Sequence, residues 1–268
     1  MKVLEIFGHR TTDMNIIVRP YGSEFCHCRP DTTWERENKD FYSPECVNEI
    51  WWTPVVFARV CKAGKCVGSK FVERYYDGVG CGMLMYCVVE SRNGLTEVSG
   101  DPRLRFAQPP RPATAGCSLQ KPTGLFAYRS RGWHVTYNLL SIHSDRKTTP
   151  PCIEDSRLVV ECADHTSVLP MPLYNAVVME NEGNEYGVEI GGMTVPVIGT
   201  EGAMESGKAK ELLEETICKA SELTSLRIGD FVAVELEGMK RLTSRETGSV
   251  RVKGTFCENE IFDFNVIF

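Results

Sequence analysis

Residues 48–84 constrain the fold of this chain more than any other segment. They read NEIWWTPVVFARV, CKAGKCVGSK and FVERYYDGVGCGML, so two runs of β-branched and aromatic residues flank a turn rich in glycine and lysine and a short amphipathic segment. Strand propensity and turn punctuation predict a strand, a loop, a short helix and a second strand. Pro54 lies in the middle of the first run and has no backbone N–H, which predicts a local irregularity in that strand.

Composition indicates a globular protein. The chain has 268 residues, of which 42% are hydrophobic and 25% charged, so it can bury one large core or two modest ones. A formal charge of -6 and the lack of a basic cluster with interleaved aromatics argue against nucleic acid and anionic membrane surfaces as partners. The first ten residues lack a signal-peptide core, and no apolar run reaches the roughly 20 residues of a membrane helix. We therefore expect a cytoplasmic protein with no membrane partner.

The chain contains 12 cysteines, which is a high number. Many lie in apolar or strand-like runs, for example Cys81, Cys87, Cys162 and Cys218. A chain of this size needs no disulfide framework, so we predict reduced and mostly buried thiols. The spacings at residues 26–28 (Cys-His-Cys) and 61–66 (Cys-x4-Cys) do not form the paired C-x2-C pattern of a structural zinc site, so reduced thiols are favoured over zinc.

Apolar periodicity predicts one long helix at residues 205–223, with Ser206 as its N-cap. Its apolar stripe consists of Ala209, Leu212, Leu213, Thr216, Ile217, Ala220 and Leu223. Such an amphipathic helix is expected to pack on a sheet.

Several further segments read as β structure. Strand-like runs are predicted at residues 1–7, 132–142, 157–161, 173–180 and 248–268. Residues 186–200 predict a hairpin that turns at Gly191 and Gly192, and this glycine pair lacks the spacing of a phosphate loop. Residues 89–112 lack periodicity and predict a long loop.

The motifs of residues 48–84 together resemble the fumarylacetoacetate hydrolase (FAH) family. That family has a strand with the pattern E-x-x-Y-E-x-E-L, a V-G-K segment, a Y-Y-D turn and a strand with G-x-G-x-D. This frame is kept at Glu49, Ile50, Trp52, Gly64, Lys65, Tyr75, Tyr76, Asp77, Gly80 and Gly82. Residues 29–32 (Arg-Pro-Asp-Thr) resemble the family's K-P-D-T/S segment, and residues 223–230 resemble its turn from a helix through G-D into a strand.

The resemblance implies an α+β, β-rich fold, namely an FAH-like mixed β-roll/β-sandwich with a few peripheral helices. It also implies a single FAH-like domain over residues 1–268. Residues 1–45 would form an N-terminal segment, and residues 46–268 a β-roll core with a divergent centre at about 89–200. In that centre the family's motifs, including a lysine-bearing segment, do not align, and Lys121 is not taken as a substitute.

The family's metal-binding and catalytic residues match this sequence less well than its structural frame does. In the family, three carboxylates bind Mg²⁺ or Mn²⁺, and a His/Glu pair activates water to cleave a C–C bond of a dicarbonyl acid. Thr53 and Val55 stand at the two glutamate positions, and Leu84 stands at the third carboxylate position. Asp13 stands at the position of the early histidine, and residues 234–239 replace a glycine-rich substrate turn. Since a hard divalent cation needs oxygen ligands, we expect no metal and no other cofactor.

Two hypotheses of function follow from the resemblance. The favoured one is a pseudoenzyme, a non-catalytic or repurposed binding or assembly protein. We expect the chain to form a homodimer. Further partners expected for it are an active relative or a small organic acid. The alternative is a divergent FAH-family enzyme, a C–C hydrolase or isomerase for a dicarbonyl acid, with relocated residues such as His134, His143 or a cysteine. A pocket lined by Trp51, Trp52, Met83 and Met85 would favour the first hypothesis.

Alternation along the strand gives a specific expectation for the family's metal position. Side chains two residues apart share a face, so Trp51, Thr53 and Val55 are expected on one side. Leu84 comes from the facing strand. We therefore predict that Trp51, Val55 and Leu84 fill or line this position as apolar core or as a dry binding slot.

Overall fold

The computed structural model describes residues 14–90, 126–130, 133–137, 157–181 and 183–268. The strands of the first half are β1 (Ile16–Arg19), β2 (His27–Arg29), β3 (Trp34–Glu35), β4 (Phe41–Tyr42), β5 (Glu49–Val60), β6 (Tyr76–Glu90), β7 (Phe126–Ser130) and β8 (Trp133–Tyr137). Those of the second half are β9 (Arg157–Val160), β10 (Ser167–Val168), β11 (Tyr186–Ile190), β12 (Met193–Ile198), β13 (Phe231–Glu235), β14 (Lys240–Ser244), β15 (Val250–Phe256) and β16 (Asn259–Ile267). Helix α1 spans Ser206–Leu223, and short 3-10 helices span Asp31–Thr33, Ser69–Arg74 and Ala176–Glu180.

The larger sheet has the strand order β2-β1-β13-β5-β6-β10-β3, with β14 also paired to β5 and β9 to β6. Its two end strands are joined by only four residues, 30–33, so the sheet must curl to bring them together. Arg29 at the end of β2 donates to the carbonyl of Met85 on β6 at 3.3 Å, and the ring of Trp34 on β3 packs 5.0 Å from that of Phe231 on β13. We call this sheet the rolled sheet and its concave side the inner face.

A second sheet has the order β12-β11-β15-β16-β4, and β7 pairs with β8 in a separate hairpin. Buried residues of the second sheet, such as Val252 and Phe264, share one hydrophobic cluster with α1 and with the convex side of the rolled sheet. The strand-rich α+β fold class predicted from the sequence is confirmed.

Residues 48–84 fold as the sequence predicts. Strands β5 and β6 pair antiparallel from Glu49 opposite Val88 to Val60 opposite Tyr76, and the short 3-10 helix Ser69–Arg74 lies between them. These two strands form the centre of the rolled sheet. The segment that constrains the sequence most therefore also organises the fold.

Pro54 marks an interruption on one side of β5. Strand β14 pairs with β5 as far as Trp52, and β13 pairs with it from Val55 onward. The Pro54 carbonyl accepts from the Leu236 N–H at 3.0 Å, so the missing N–H faces the gap between β13 and β14. The predicted irregularity is thus a change of neighbouring strand, while pairing with β6 continues through Pro54 opposite Met83.

Helix α1 is confirmed, but its predicted cap is wrong. Its buried stripe consists of Ala209, Leu213, Thr216, Ile217 and Ala220, and it packs on β13. The N-cap is Glu205, whose backbone is extended and whose side chain makes no capping bond, and the predicted cap Ser206 is the first helical residue. Leu223, assigned to the apolar stripe, is 67% exposed.

The remaining β predictions have mixed outcomes. The hairpin at 186–200 and the terminal pair at 248–268 are confirmed, and Gly191 and Gly192 adopt the left-handed conformation that the hairpin turn needs. The strand-like run at 157–161 is confirmed as β9, and β8 covers part of 132–142. The strand predicted at 173–180 is wrong, because the Asn175 side chain accepts from the Val177 N–H at 3.0 Å and starts a 3-10 helix. Residues 1–7 and 91–112 lie outside the described residues.

The burial predicted for the cysteines is also wrong. All ten cysteines within the described ranges are free thiols, but only Cys81 and Cys87 among them are buried. Cys28, Cys46 and Cys66 are exposed, and the other five are partly buried. In the part of the chain that the structure describes, no helix is both long enough and apolar enough to span a bilayer.

Candidate functional site: the inner face of the rolled sheet

Thr53, Val55 and Leu84, which the sequence predicts at the family's metal-ligand positions, lie in a closed, apolar region of the inner face that we call the slot. Val55 and Leu84 are both 0% exposed and pack with Phe57, Phe231 and other apolar side chains in one cluster. Trp51 packs against the edge of the same cluster. The structure therefore places Trp51, Val55 and Leu84 together, as alternation along β5 predicts.

Thr53 completes the slot, and its one hydroxyl is already committed to a backbone hydrogen bond. It is 0% exposed and stands directly opposite Leu84 in the β5–β6 pairing, so the two share a face. Its hydroxyl donates to the Glu237 carbonyl at 2.7 Å, which closes the gap that Pro54 leaves between β13 and β14. The Thr53 oxygen is thus part of the backbone bonding of the sheet.

The residues of the slot do not fit a hard divalent cation. Mg²⁺ and Mn²⁺ prefer several oxygen ligands, whereas Val55 and Leu84 supply only hydrocarbon and Thr53 supplies one committed hydroxyl. Among the described residues, no three His, Cys, Asp or Glu side chains come together as a metal-binding group.

A glycine fixes how tightly the slot is closed. Gly82 of β6 stands opposite Val55 and belongs to the frame that resembles the family. A Cβ atom at Gly82 would lie 2.3 Å from the backbone oxygen of Val168 on the neighbouring segment, far inside van der Waals contact. The close approach of these two backbones therefore requires glycine, and it leaves little room above the slot.

The same inner face carries a buried polar group, which we call the polar end. It consists of Arg29, Tyr86 and Glu235, whose exposed fractions are 1%, 1% and 4%. The three residues come from β2, β6 and β13, and Glu235 stands directly opposite Val55. The curl of the sheet brings them together over the slot.

Hydrogen bonds order the polar end. The guanidinium of Arg29 lies 4.4 Å from the centre of the Tyr86 ring and donates to the Ser167 hydroxyl and the Met85 carbonyl, both at 3.3 Å. The Tyr86 hydroxyl donates to one oxygen of Glu235, and the backbone N–H of Tyr21 donates to the other at 2.9 Å. The Nε of Arg29 is buried and has no hydrogen-bond partner in the structure.

A histidine and a second carboxylate adjoin this group. His27 lies two residues before Arg29 on β2, so both side chains point to the inner face, and its Nε2 is 3.4 Å from the Glu161 carboxylate. That contact lacks hydrogen-bond geometry, and His27 Nε2 is a second buried nitrogen without a hydrogen-bond partner. Five titratable side chains thus surround one buried region.

Burial shifts the pKa values of three of these side chains, Glu235, Tyr86 and His27, towards their neutral forms. It raises the pKa of Glu235, against the lowering effect of the hydrogen bonds from Tyr86 and Tyr21. It raises the pKa of Tyr86 well above its ordinary value, so the phenol stays a donor. It lowers the pKa of His27, against the opposing influence of the Glu161 charge.

The structure distributes the other candidate residues differently from the expectation. Trp51 lies on the inner face, whereas Trp52, Met83 and Met85 belong to the cluster on the convex side. The expected pocket lined by all four is therefore wrong, because adjacent strand residues point to opposite faces. Asp13, Lys121 and His143 lie outside the described residues, and for His134 the structure describes only the backbone, in β8.

Sequence reasoning missed the polar end. The sequence pattern assigns Glu235 to the segment that replaces the family's glycine-rich turn, and it does not mark Tyr86 or Glu161 as functional residues. One signal was present: Glu235 ends the run FVAVE, which is otherwise apolar and fully buried in the structure. A charge that closes such a run at strand spacing indicates a buried carboxylate with a partner.

Comparison with solved structures identifies this fold, whereas comparison with known sequences does not. No protein-family model matches the sequence, and no curated protein matches it either. Among solved structures, a putative FAH-family protein from Yersinia pestis CO92 matches with a TM-score of 0.56 at 10% identity, over 96% of this chain and 93% of that one.

Two ligand-bound structures are similar to the chain as well. Maleylpyruvate hydrolase from Sphingobium sp. SYK-6, in complex with manganese(II) and pyruvate, has a TM-score of 0.54 at 11% identity, covering 93% of this chain and 69% of that one. Fumarylpyruvate hydrolase from Pseudomonas aeruginosa, in complex with Mn²⁺ and pyruvate, has a TM-score of 0.51 at 13% identity, covering 97% and 100%. The chain therefore has the fold of FAH-family proteins, and the predicted FAH-like fold is confirmed.

Proposed function

We propose that this chain is a divergent member of the FAH family that has lost metal-dependent hydrolase, isomerase or decarboxylase chemistry. In this proposal it serves as a non-catalytic or repurposed protein for binding or assembly. The slot keeps the strand frame of the family and replaces its ligands by a threonine, a valine and a leucine.

One observation carries the proposal: Thr53, Val55 and Leu84 are all completely buried in the interior of the rolled sheet. A metal at this position would have to enter an apolar region, lose its water and find at most one hydroxyl. The complete burial of all three side chains argues that the slot now serves the stability of the fold.

The test is an assay on acylpyruvates with Mg²⁺ and with Mn²⁺, beside an active FAH-fold hydrolase such as the Pseudomonas aeruginosa enzyme. We expect no turnover above the metal-free background. Metal-dependent turnover that a chelator abolishes would contradict the proposal.

A second candidate function is favoured by the polar end. The buried Glu235 and Tyr86 and the partly buried His27 have pKa values displaced towards their neutral forms, as the acid and base groups of an active site often do. In this alternative the chain is a divergent FAH-family enzyme that acts on a dicarbonyl acid through relocated residues. Metal-independent turnover that is lost in both the His27→Gln and the Glu235→Gln variants, with folding intact, would favour it over the first proposal.

We further propose that the protein is a cytoplasmic homodimer. Light scattering should then give twice the chain mass of 30.1 kDa. The chain mass itself, at concentrations well above those in a cell, would contradict this part of the proposal.

A further inference from the structure

The loop between β12 and α1 has the pattern of a phosphate-binding loop. Residues 202–208 read GAMESGK, which matches the spacing G-x4-G-K, and Ala209 stands where such loops have serine or threonine. The structure supplies the context that the pattern needs, because the loop follows the strand β12 and opens directly into the 18-residue helix α1. This site lies in a different part of the chain from the slot.

The start of α1 has free donors and space in front of them. The first backbone bond of the helix runs from the Ala209 N–H to the Glu205 carbonyl at 3.1 Å, which leaves the N–H groups of Ser206, Gly207 and Lys208 without an intrahelical acceptor. A cavity of about 500 Å³ is lined by this helix start and by the preceding loop. Such donors at the positive end of a helix dipole suit an anion.

An independent feature of the site is the hydroxyl of Ser206. The residue is 2% exposed and lines the cavity, yet its Oγ is buried without any hydrogen-bond partner. A helical side chain leans towards the N-terminus of its helix, which is the side on which the cavity lies. A buried hydroxyl without a partner costs free energy that a bound acceptor would recover.

Two glycines shape the loop in different ways. A Cβ at Gly202 would meet the Val197 carbonyl oxygen at 2.6 Å, so glycine is required there for the fold. Gly207 has nothing within 4 Å of its ideal Cβ position, so packing does not explain it, and glycine inside a helix costs about 1 kcal/mol relative to alanine. A bare first turn lets a ligand approach the backbone N–H groups.

The lysine at the site has an acidic partner that a bound anion would displace. Lys208 Nζ lies 3.1 Å from the Glu205 carboxylate, and both side chains are mostly exposed, at 67% and 72%. Both can therefore turn at little cost. A doubly charged anion at the helix start would take Lys208 as a partner and leave Glu205 in water.

We propose that the start of α1 binds the phosphoryl group of a small phosphorylated molecule. The N–H groups of Ser206, Gly207 and Lys208, the Ser206 hydroxyl and the Lys208 ammonium would hold its oxygens. Ala209 is completely buried and has no hydroxyl to hold a magnesium ion, so binding does not depend on magnesium.

The experiment is a titration of ¹⁵N-labelled protein with inorganic phosphate and with ATP, each with and without EDTA, with amide shifts and calorimetry as readouts. Both ligands should shift the amides of residues 206–208 first, with a Kd of about 1 mM or tighter that EDTA leaves unchanged. Lys208→Met and Ser206→Ala should each weaken binding about tenfold, through a lost charge-assisted bond and a lost hydroxyl donor to the phosphoryl oxygens.

The matched control is Lys39→Met, which removes a lysine that is 66% exposed and also paired with a glutamate, far along the chain from α1. It should leave the affinity unchanged. No shift at residues 206–208, equal weakening by the control, or a requirement for magnesium would overturn the proposal. A melting curve of each variant identifies any loss of affinity that comes from unfolding, and two independent variants keep the test decisive.

Discussion

The slot and the polar end lie on the same face of the same sheet and are similarly buried, yet different interactions stabilise them. In the slot, Val55 and Leu84 contribute through the burial of hydrocarbon, which requires no direction and no partner. At the polar end, Arg29 and Glu235 contribute only if their hydrogen bonds are made, because each buried charge without a partner costs several kcal/mol. A change of polarity should therefore have opposite consequences in the two regions.

This contrast bears on the proposal that metal-dependent chemistry has been lost. Under that proposal, apolar side chains replaced carboxylates, and a region that had required a bound ion became stable without one. The neighbouring polar end still relies on partners from β2, β6 and β13, so it holds the curl of the sheet in place. Substitutions on the two sides of this boundary test the contrast directly.

The largest expected effect comes from Val55→Glu. The change buries a carboxylate in the slot without a partner, so the free energy of unfolding should fall by about 4 kcal/mol or more. Thermal and urea melts measure it. The matched control is the same substitution at Val177, which is 63% exposed and should change stability by less than about 0.5 kcal/mol. Equal melting temperatures for Val55→Glu and the wild type would mean that the slot is open and wet.

Arg29→Met should have the next largest effect. The variant keeps an apolar stem over Tyr86 but removes the donors to Met85 and Ser167 and the positive charge near Glu235, at a cost of about 3 kcal/mol. The control is Arg36→Met, since Arg36 also lies over an aromatic ring, at 5.0 Å from Trp34, but its side chain is 57% exposed. The control should cost less than about 1 kcal/mol. A smaller loss for Arg29→Met than for Arg36→Met would refute the role of the polar end.

Tyr86→Phe should cost about 1–2 kcal/mol, because it leaves one oxygen of the buried Glu235 without its donor. Tyr42→Phe, at a tyrosine that is 71% exposed, should be nearly neutral. The difference between the two variants in urea melts isolates the buried bond. If they agree, the Tyr86 hydroxyl contributes nothing to the fold.

The smallest expected effect concerns pH. Because burial raises the pKa of Glu235, the folded state holds this proton more tightly than the unfolded state. Ionisation of Glu235 therefore lowers the free energy of unfolding as pH rises from the ordinary glutamate pKa of 4.5 through the higher pKa of the folded state. Glu235→Gln lacks this loss, so its stability relative to the wild type should increase between pH 4 and pH 7. Since His27 titrates in both proteins, it cancels in the difference, and a relative stability that decreases with pH would contradict the direction of the shift.

The sequence predicted the parts of the fold that depend on local pattern. Alternation in β5, glycine and aromatic residues in β6 and the stripe of α1 each specify an element with little help from distant residues. The same alternation placed Trp51, Thr53 and Val55 on one face. The strand prediction for residues 173–180 is wrong because a hydrogen bond from the Val177 N–H to the Asn175 side chain overrides the strand propensity of Val177 and Val178.

The polar end could not be predicted in the same way. Arg29 and Glu235 are about 200 residues apart in the chain and meet only because the sheet curls. Neither residue belongs to a motif that gives the other as its partner. Many of the 12 cysteines lie in apolar runs, which predicts burial, but the exposure of a side chain depends on which face of its element points outward.

The central claim is that the slot is closed core without affinity for a divalent metal, and a Mn²⁺ titration tests it most directly. The wild type is titrated by calorimetry and by the electron paramagnetic resonance of free Mn²⁺, beside the manganese-binding Pseudomonas aeruginosa hydrolase as a positive reference. The account predicts no stoichiometric binding to the wild type. One Mn²⁺ per chain with a Kd tighter than about 100 μM, a strength that ordinarily takes several oxygen ligands, would contradict it if Val55→Ala or Leu84→Ala altered that affinity.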